Sequence, residues 1–402
     1  MDRFRKVRGK PLAFAAGAIG LAAVLAASAA LVAPARARTV AGWTPRGEDV
    51  LTTVRPEPYV RPERRTSATE AGSKDAVLRA RAHVELARAS GDPRHLGRAQ
   101  AALAPWWDDA APSAEVLLLR ATIRQSLHDF AGARADLDAL IARTPDDGQA
   151  RLTRAVVATV TGDAATALAD CARVGALVGE PWAAACAAPL ATRDGGTRAA
   201  YARLAALVGA LPPSHPGAAW ATTSLGELAR AAGDDAAAEA HLRRALALAP
   251  GDVYTLGALA ELLVDGGRAG EAVALLDPHA EPDPLRLRLA VAARAAGHVG
   301  ADAHAAIVRR GLDAAFARGD TTHLRERARY FLDVAPDPAE ALRAAVDNWA
   351  LQREAADARV LLEAAAAAGD RGAAAPVVAW MDDARIDDAV LARARARLEG
   401  RP

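Results

Sequence analysis

Aromatic residues are scarce in this chain. Five phenylalanines, four tyrosines and seven tryptophans make up 4% of 402 residues, although 52% of the chain is apolar. Alanine supplies most of that apolar content; it is the strongest helix former and leaves helices room to approach closely. Lysine is nearly absent, with only Lys6, Lys10 and Lys74, so the positive charge is carried almost wholly by arginine. The chain has no G-x-S-x-G, no H-E-x-x-H, no C-x-x-C and no phosphate-binding glycine loop, and so none of the local signatures of those chemistries. The nine histidines are scattered. His298 and His304 come nearest to a pair, but their spacing across a predicted turn does not put them on one helix face, and no metal or cofactor site is assigned to them. His83, His241 and His323 fall in predicted helices and read as surface or groove-edge residues.

Charge is unevenly spread. Residues 1–65 carry twelve Lys/Arg against five Asp/Glu, or +7, so an overall +1 leaves −6 for residues 66–402. A mildly acidic body without clustered lysine or arginine is a poor match for a phosphate backbone, and nucleic acid is set aside as a partner.

At the N-terminus Arg3, Arg5, Lys6, Arg8 and Lys10 precede an uncharged run from Leu12 to Ala33, followed by Ala35-Arg36-Ala37. Basic residues, an apolar run and a small-x-small site describe an export signal. The run is also long enough to span a bilayer. Residues 1–37 therefore read as a signal peptide or a membrane anchor, the cleavage site favouring the former, and the chain is expected to be exported to the periplasm or the outer face of the cytoplasmic membrane. Contact with membrane is expected through this segment alone. Residues 38–73 are rich in Pro, Arg, Glu and Thr without apolar periodicity, and predict an extended tether.

What the chain does have is a regular beat, with a period of about 34 residues. Ala219–Asp252 is followed directly by Val253–Arg286, with Leu225/Leu259, Gly226/Ala260, Gly233/Gly267, Ala238/Ala272 and Leu242/Leu276 at equal offsets. Ala114–Asp147 carries Ala121, Phe130, Ala133, Leu137 and Pro145 in the same frame, and Gly148–Pro181 carries Ala155, Gly162-Asp163, Ala167 and Cys171. Asp75–Ser90 and Arg94–Leu103 predict a first pair of helices, and a weaker unit spans Trp182–Leu211 around Asp194-Gly195-Gly196. After Pro284 the register slips. Leu285–Ala296 and Ala301–Arg318 each predict a helix, and either they pair with each other or the frame restarts at Ala305–Pro338; the turn at Gly319-Asp320 favours the restart, with Ala339–Gly372 continuing it and Ala373–Glu399 forming a last pair. The period predicts an all-α stack of antiparallel helix pairs over residues 74–402, about eight to nine repeats in number.

The joint occurrence of Leu225-Gly226, Gly233-Asp234, Ala238, Ala245 and Pro250 resembles the tetratricopeptide repeat, and the resemblance covers nearly all of 75–372. It implies a right-handed superhelical solenoid whose first helices line a concave groove for peptide or protein segments. The ninth residues of the clear frames include Glu227, Glu261, Asp313 and Asp347, a row of carboxylates along the expected inner wall, with Arg309 and Arg343 one turn earlier in the last two. Trp220, Tyr254 and Phe316 stand nearby as apolar anchors. Such a row suits a basic or amphipathic segment. Arg309/Asp313 and Arg343/Asp347 also neutralise each other at i, i+4, which describes a solvated face.

Cys171 and Cys186 fall on successive helices that stack in this architecture, and export permits a disulfide between them. Two buried small residues are the alternative. Trp106-Trp107 before Asp108-Asp109 read as a plug between the first two units, and Trp349 and Trp380 as core or cap. The function expected is a non-enzymatic protein-interaction scaffold of the cell envelope, used in assembly or maturation of an envelope complex. The alternatives are an accessory subunit of an envelope enzyme and a polysaccharide-binding repeat protein.

Overall fold

The computed structural model describes residues 70–400 apart from Gly91, Glu281 and Arg318. The expected signal or anchor segment and nearly all of the expected tether lie outside the described residues. Those described form nineteen α-helices and no strand. The first begins at Glu70 rather than Asp75, so the last few residues of the expected tether are helical.

Eighteen of the helices run in sequence as antiparallel pairs. The first four pairs are α1 (Glu70–Ser90) with α2 (Arg94–Ala102), α3 (Ala114–Ser126) with α4 (Phe130–Arg143), α5 (Gly148–Thr161) with α6 (Ala164–Val178), and α7 (Glu180–Ala187) with α8 (Thr197–Ala210). Then come α9 (Ala218–Ala231) with α10 (Asp235–Leu248), and α11 (Val253–Asp265) with α12 (Ala269–Leu276). The last three units are α13 (Asp283–Ala295) with α14 (Ala301–Ala317), α15 (Leu324–Asp333) with α16 (Pro338–Leu351), and α17 (Ala355–Ala368), on which α19 (Ala389–Glu399) packs after the short α18 (Ala375–Asp383). Odd-numbered helices also touch the next odd-numbered helix, as in α11 to α13 to α15 to α17, and so form one continuous wall. The fold is a tetratricopeptide-like solenoid of nine units.

Local chemistry explains the pairs. Where α5 ends, Gly162 takes φ 85° and the next residue, Asp163, accepts the backbone N–H of Thr166 and caps α6. Gly233 and Asp234 repeat the arrangement between α9 and α10. A left-handed residue closes one helix and a carboxylate opens the next, each cap adding about 1 kcal/mol. Small residues set the crossing: Ala133, Ala167, Ala238, Ala272 and Ala358 are all fully buried. A Cβ on Gly226 would lie 2.9 Å from Cγ of Leu242 and 3.2 Å from the Ala238 carbonyl oxygen, which leaves no space for one.

Apolar burial is divided among five clusters strung along the array rather than gathered in one core. Trp106 and Trp107 pack on the cluster of the first two units, and Trp349 meets Trp380 edge to face. Cys171 of α6 and Cys186 of α7 form a disulfide with their Cα atoms 5.5 Å apart. A buried ion pair recurs at the same place in successive repeats: Arg120 with Asp136 at 2.6 Å in the second unit, and Arg154 with Asp170 at 2.7 Å in the third.

The expected restart of the frame at Ala305 is not what the chain does. α13 and α14 pair with each other, while α14 and α15 barely touch. The cause lies upstream. α12 has 8 residues where α10 has 14, because Asp277-Pro278 ends it in a short 3₁₀ turn. Proline cannot donate the next helical hydrogen bond. The next unit therefore starts early, at Asp283 rather than at Leu287, where the frame begun at Val253 would put it.

A charged lumen as the candidate functional site

The wall of odd-numbered helices curves until its C-terminal end meets its own middle. The loop before α17 reaches the turn after α5, where the Arg353 N–H donates to the Val160 carbonyl at 2.8 Å. The loop before α19 reaches the turn before α8: Asp387 N–H donates to Thr192 O at 2.7 Å, Asp194 N–H to Ala384 O at 3.0 Å, and Gly195 N–H to Arg385 O at 3.3 Å. Asp194 and Arg385 both adopt left-handed backbones, at φ 56° and 45°, and their side chains form an ion pair across the junction. Deeper in, Arg359 of α17 holds Asp265 of α11 through two hydrogen bonds of 2.8 Å. The concave face thus becomes the wall of an internal space of about 1130 Å³.

Among the described residues, nine arginines and eight carboxylates line that space. Their states are not ordinary. Glu227 accepts a hydrogen bond from the Tyr254 hydroxyl. Burial pushes its carboxyl up to about 7, against the pull of that bond and of Arg230. Burial, then the charge of Asp357, pushes Glu354 up to about 8. Burial and then the neighbouring Glu227 charge raise the Tyr254 hydroxyl as well. Glu261 goes the other way. Burial would raise it, but Arg288 at 2.9 Å, Arg230 at 3.9 Å, and the more distant Arg359 and Arg329 hold it at about 2. With Glu227 about half protonated and Glu354 mostly protonated near neutrality, the lining of nine arginines and eight carboxylates leans positive. Opposite charges at these distances favour the ionised form, and burial disfavours it.

The expected row of carboxylates divides. Glu227, Tyr254 and Glu261 come together on the lumen wall. Asp313 and Asp347 do not, because the frame restarted at Ala305 begins on the second helix of a pair, so its ninth residues fall on α14 and α16. Asp313 pairs with Arg309 at 2.7 Å and stands 3.9 Å from Arg327. Asp347 is exposed, and Arg343 pairs with Glu340 rather than with Asp347. Phe316 is 64% exposed, with the Arg327 guanidinium 4.4 Å from its ring centre. Trp220 is 5% exposed and packs on Trp182 in the core, so Tyr254 is the one expected aromatic anchor that reaches the lumen.

Sequence reasoning missed the other half of the wall. Arg288, Arg325, Arg329 and Arg359 come from α13, α15 and α17, the helices that the slipped frame misassigned. Arg325 lies 3.2 Å from Asp357 and 3.8 Å from Glu354. Carrying the 34-residue count on from Val253, through 287, 321 and 355, instead of restarting it at Ala305 would have brought these arginines onto the inner face. No cluster of three or more His, Cys, Asp or Glu among the described residues is spaced to hold a metal ion, and no described helix is long and apolar enough to cross a membrane.

No known family profile matches the sequence, and no curated protein does. Solved structures similar to parts of the chain include the type IV pilus biogenesis factor PilW, 18% identical over 51% of this chain and 96% of that one, with a TM-score of 0.40. The tetratricopeptide domain of P58(IPK) is 15% identical over 80% of this chain and 97% of that one, with a TM-score of 0.22. Likeness at this level carries no argument, and the fold stands on the helix pairing itself.

Proposed function

We propose that this chain is a non-enzymatic protein-interaction scaffold of the cell envelope whose lumen takes a segment of a partner protein, in the assembly or maturation of an envelope complex. The observation that carries the reading is the space of about 1130 Å³ on the concave side, bounded mainly by the first helices of successive units and lined by apolar side chains interspersed with arginines and carboxylates. Helix-pair arrays bind through side chains presented on such a wall, and the fold alone specifies no chemistry. The lining's lean toward positive charge changes the segment expected. An acidic segment complements nine arginines better than the basic one that an uninterrupted carboxylate row would suit.

Envelope location is supported by the N-terminal sequence, with its basic residues, apolar run and small-x-small site. The Cys171–Cys186 disulfide agrees with it, since such bonds persist in oxidising compartments. A polysaccharide reading loses one of its two expected stacking residues, because Trp220 is withdrawn into the core while Tyr254 lines the lumen, as do Phe130 and Trp380.

Photo-crosslinking tests the reading. A crosslinking phenylalanine analogue replaces Arg286, which lines the lumen, or Asp347, which faces outward. In envelope extract, a partner peptide attached at position 286 and absent at 347 is expected. Crosslinks at 347 with none at 286 would place any partner on the outside and end the lumen reading.

A further inference from the structure

One guanidinium on the lumen wall has no counter-charge. Arg88, near the end of α1, keeps both terminal nitrogens out of solvent, and neither has a hydrogen-bond partner. The carboxylate whose field it feels is Glu85, one turn earlier and exposed, which forms no ion pair with it. Burial accordingly drives Arg88 down to about 10. An ion taken from water without a partner is among the costliest arrangements in a folded chain. Arg88 also lines the same space as Glu227 and Glu261.

Two further unpartnered atoms lie on the adjoining unit. Oε1 of Gln125 and Nδ1 of His128 are buried without a hydrogen bond, and both residues line the lumen. His128 is itself an anomaly. It holds the place in its unit that Gly162 holds in the next, and both occupy the left-handed position that ends their helix, at φ 60° and 85°. A side chain there is strained where glycine is not. The repeat thus gives up stability at two neighbouring points on one wall, a buried lone cation and a strained histidine.

We infer that Arg88, Gln125 and His128 form an anion-binding subsite of the lumen, which takes a carboxylate of an acidic peptide on the guanidinium and an adjoining backbone N–H on the Gln125 oxygen. A guanidinium offers paired donors that match a carboxylate, and in a water-poor site the charge-assisted bonds are strong. Gln125 Oε1 needs a donor beside the anion, which a peptide supplies and a bare ion does not. His128, held neutral by burial, contributes whichever of donor or acceptor its tautomer leaves at Nδ1.

The inference rests on the lumen being a binding space, as proposed above, and its test reads Arg88 separately. The full chain is titrated with a hexaglutamate peptide, amidated at its C-terminus, and with hexaglutamine amide at matched ionic strength. Hexaglutamate is expected to bind, hexaglutamine is not, and Arg88→Met is expected to weaken hexaglutamate at least tenfold, with Arg88→Lys recovering part of the affinity and Gln125→Leu losing several-fold. Without peptide, Arg88→Met is expected to unfold at the same temperature as the parent or higher, because an uncompensated buried charge has gone. Affinity unchanged in Arg88→Met would overturn the subsite, and so would a marked fall in its unfolding temperature, which would mean that Arg88 is satisfied within the chain. If hexaglutamate fails to bind while crosslinks still form at position 286, the subsite is wrong and the scaffold reading survives.

Discussion

Glu227 shows how much one side chain's surroundings matter in this lumen. Its carboxyl is pushed up to about 7 by burial, whereas in the unfolded chain it titrates near the ordinary 4.5. Between those values the folded protein holds a proton that the unfolded chain has released, so unfolding releases a proton and rising pH favours unfolding. The stabilising contribution is present in full below about 4.5 and is lost as pH climbs through about 7. Glu354 extends the same trend to about 8, and Glu261, held at about 2, opposes it only on the acid side of 4.5. Thermal unfolding followed by circular dichroism should therefore show a midpoint that declines from about pH 5.5 to about pH 8. Glu227→Gln keeps an oxygen for the Tyr254 hydroxyl and removes the titration, so its decline should be visibly shallower. A slope identical to the parent's would mean that Glu227 is ionised throughout.

At this scale the sequence was readable where sterics alone decide. Ala133, Ala167, Ala238 and Ala272 recur because the helix crossing admits nothing larger, and that demand returns in each unit whatever else changes. Charge was less readable. The carboxylates of Glu227 and Glu261 stand at equal offsets, yet one lies near 7 and the other near 2, because arginines from α13 and α17 reach only the second. Those arginines arrive through tertiary closure, which no local pattern records.

Among elements, pairing depends on where each helix stops. The Gly-Asp turns after α5 and α9 could be read from sequence since both residues act locally, one through its backbone and one as a cap. The end of α12 could be read as well, from Pro278, but the frame restarted at Ala305, on the second helix of a pair, and so placed Asp313 and Asp347 on the inner wall. The helices existed as expected while their partners did not. A joint between elements also carries the one disulfide among the described residues. Cys171 and Cys186 are separated by 15 residues, and a loop of that length restricts the unfolded chain by about 3 kcal/mol in the entropic account. In a stack where each unit touches mainly its neighbours, the loss on reduction stays local. Hydrogen exchange after reduction, or in Cys171→Ala/Cys186→Ala, should quicken in α6 to α8 and leave α13 to α17 unchanged. Uniform quickening throughout would contradict a chain of separable units.

For the molecule as a whole, closure is what distinguishes this solenoid from an open groove, and its contacts are not equal. Asp194 and Arg385 are exposed, so their ion pair contributes at most about 1 kcal/mol, and the backbone bonds beside it would remain without it. Asp265 is different. It accepts two hydrogen bonds from Arg359, and it also pairs with Arg230; those arginine side chains are each 14% exposed. Changing Asp265 to Ala removes the acceptor that Arg230 and Arg359 share and leaves Arg359 with Glu363 alone, at 3.0 Å. The lost charged hydrogen bonds alone amount to about 1.5–3 kcal/mol. Because Asp265 and Arg359 are 94 residues apart in the chain, that energy holds the last unit to the middle of the array rather than any single unit together. Small-angle scattering should therefore report a larger radius of gyration for Asp265→Ala with its helical circular dichroism preserved, while Asp194→Ala stays near the parent. The same expansion should weaken capture of a lumen ligand, since an opened wall no longer presents Arg288, Arg325 and Arg359 opposite Glu227. An unchanged radius in Asp265→Ala would show that the loop contacts at Thr192 and Val160 suffice for closure.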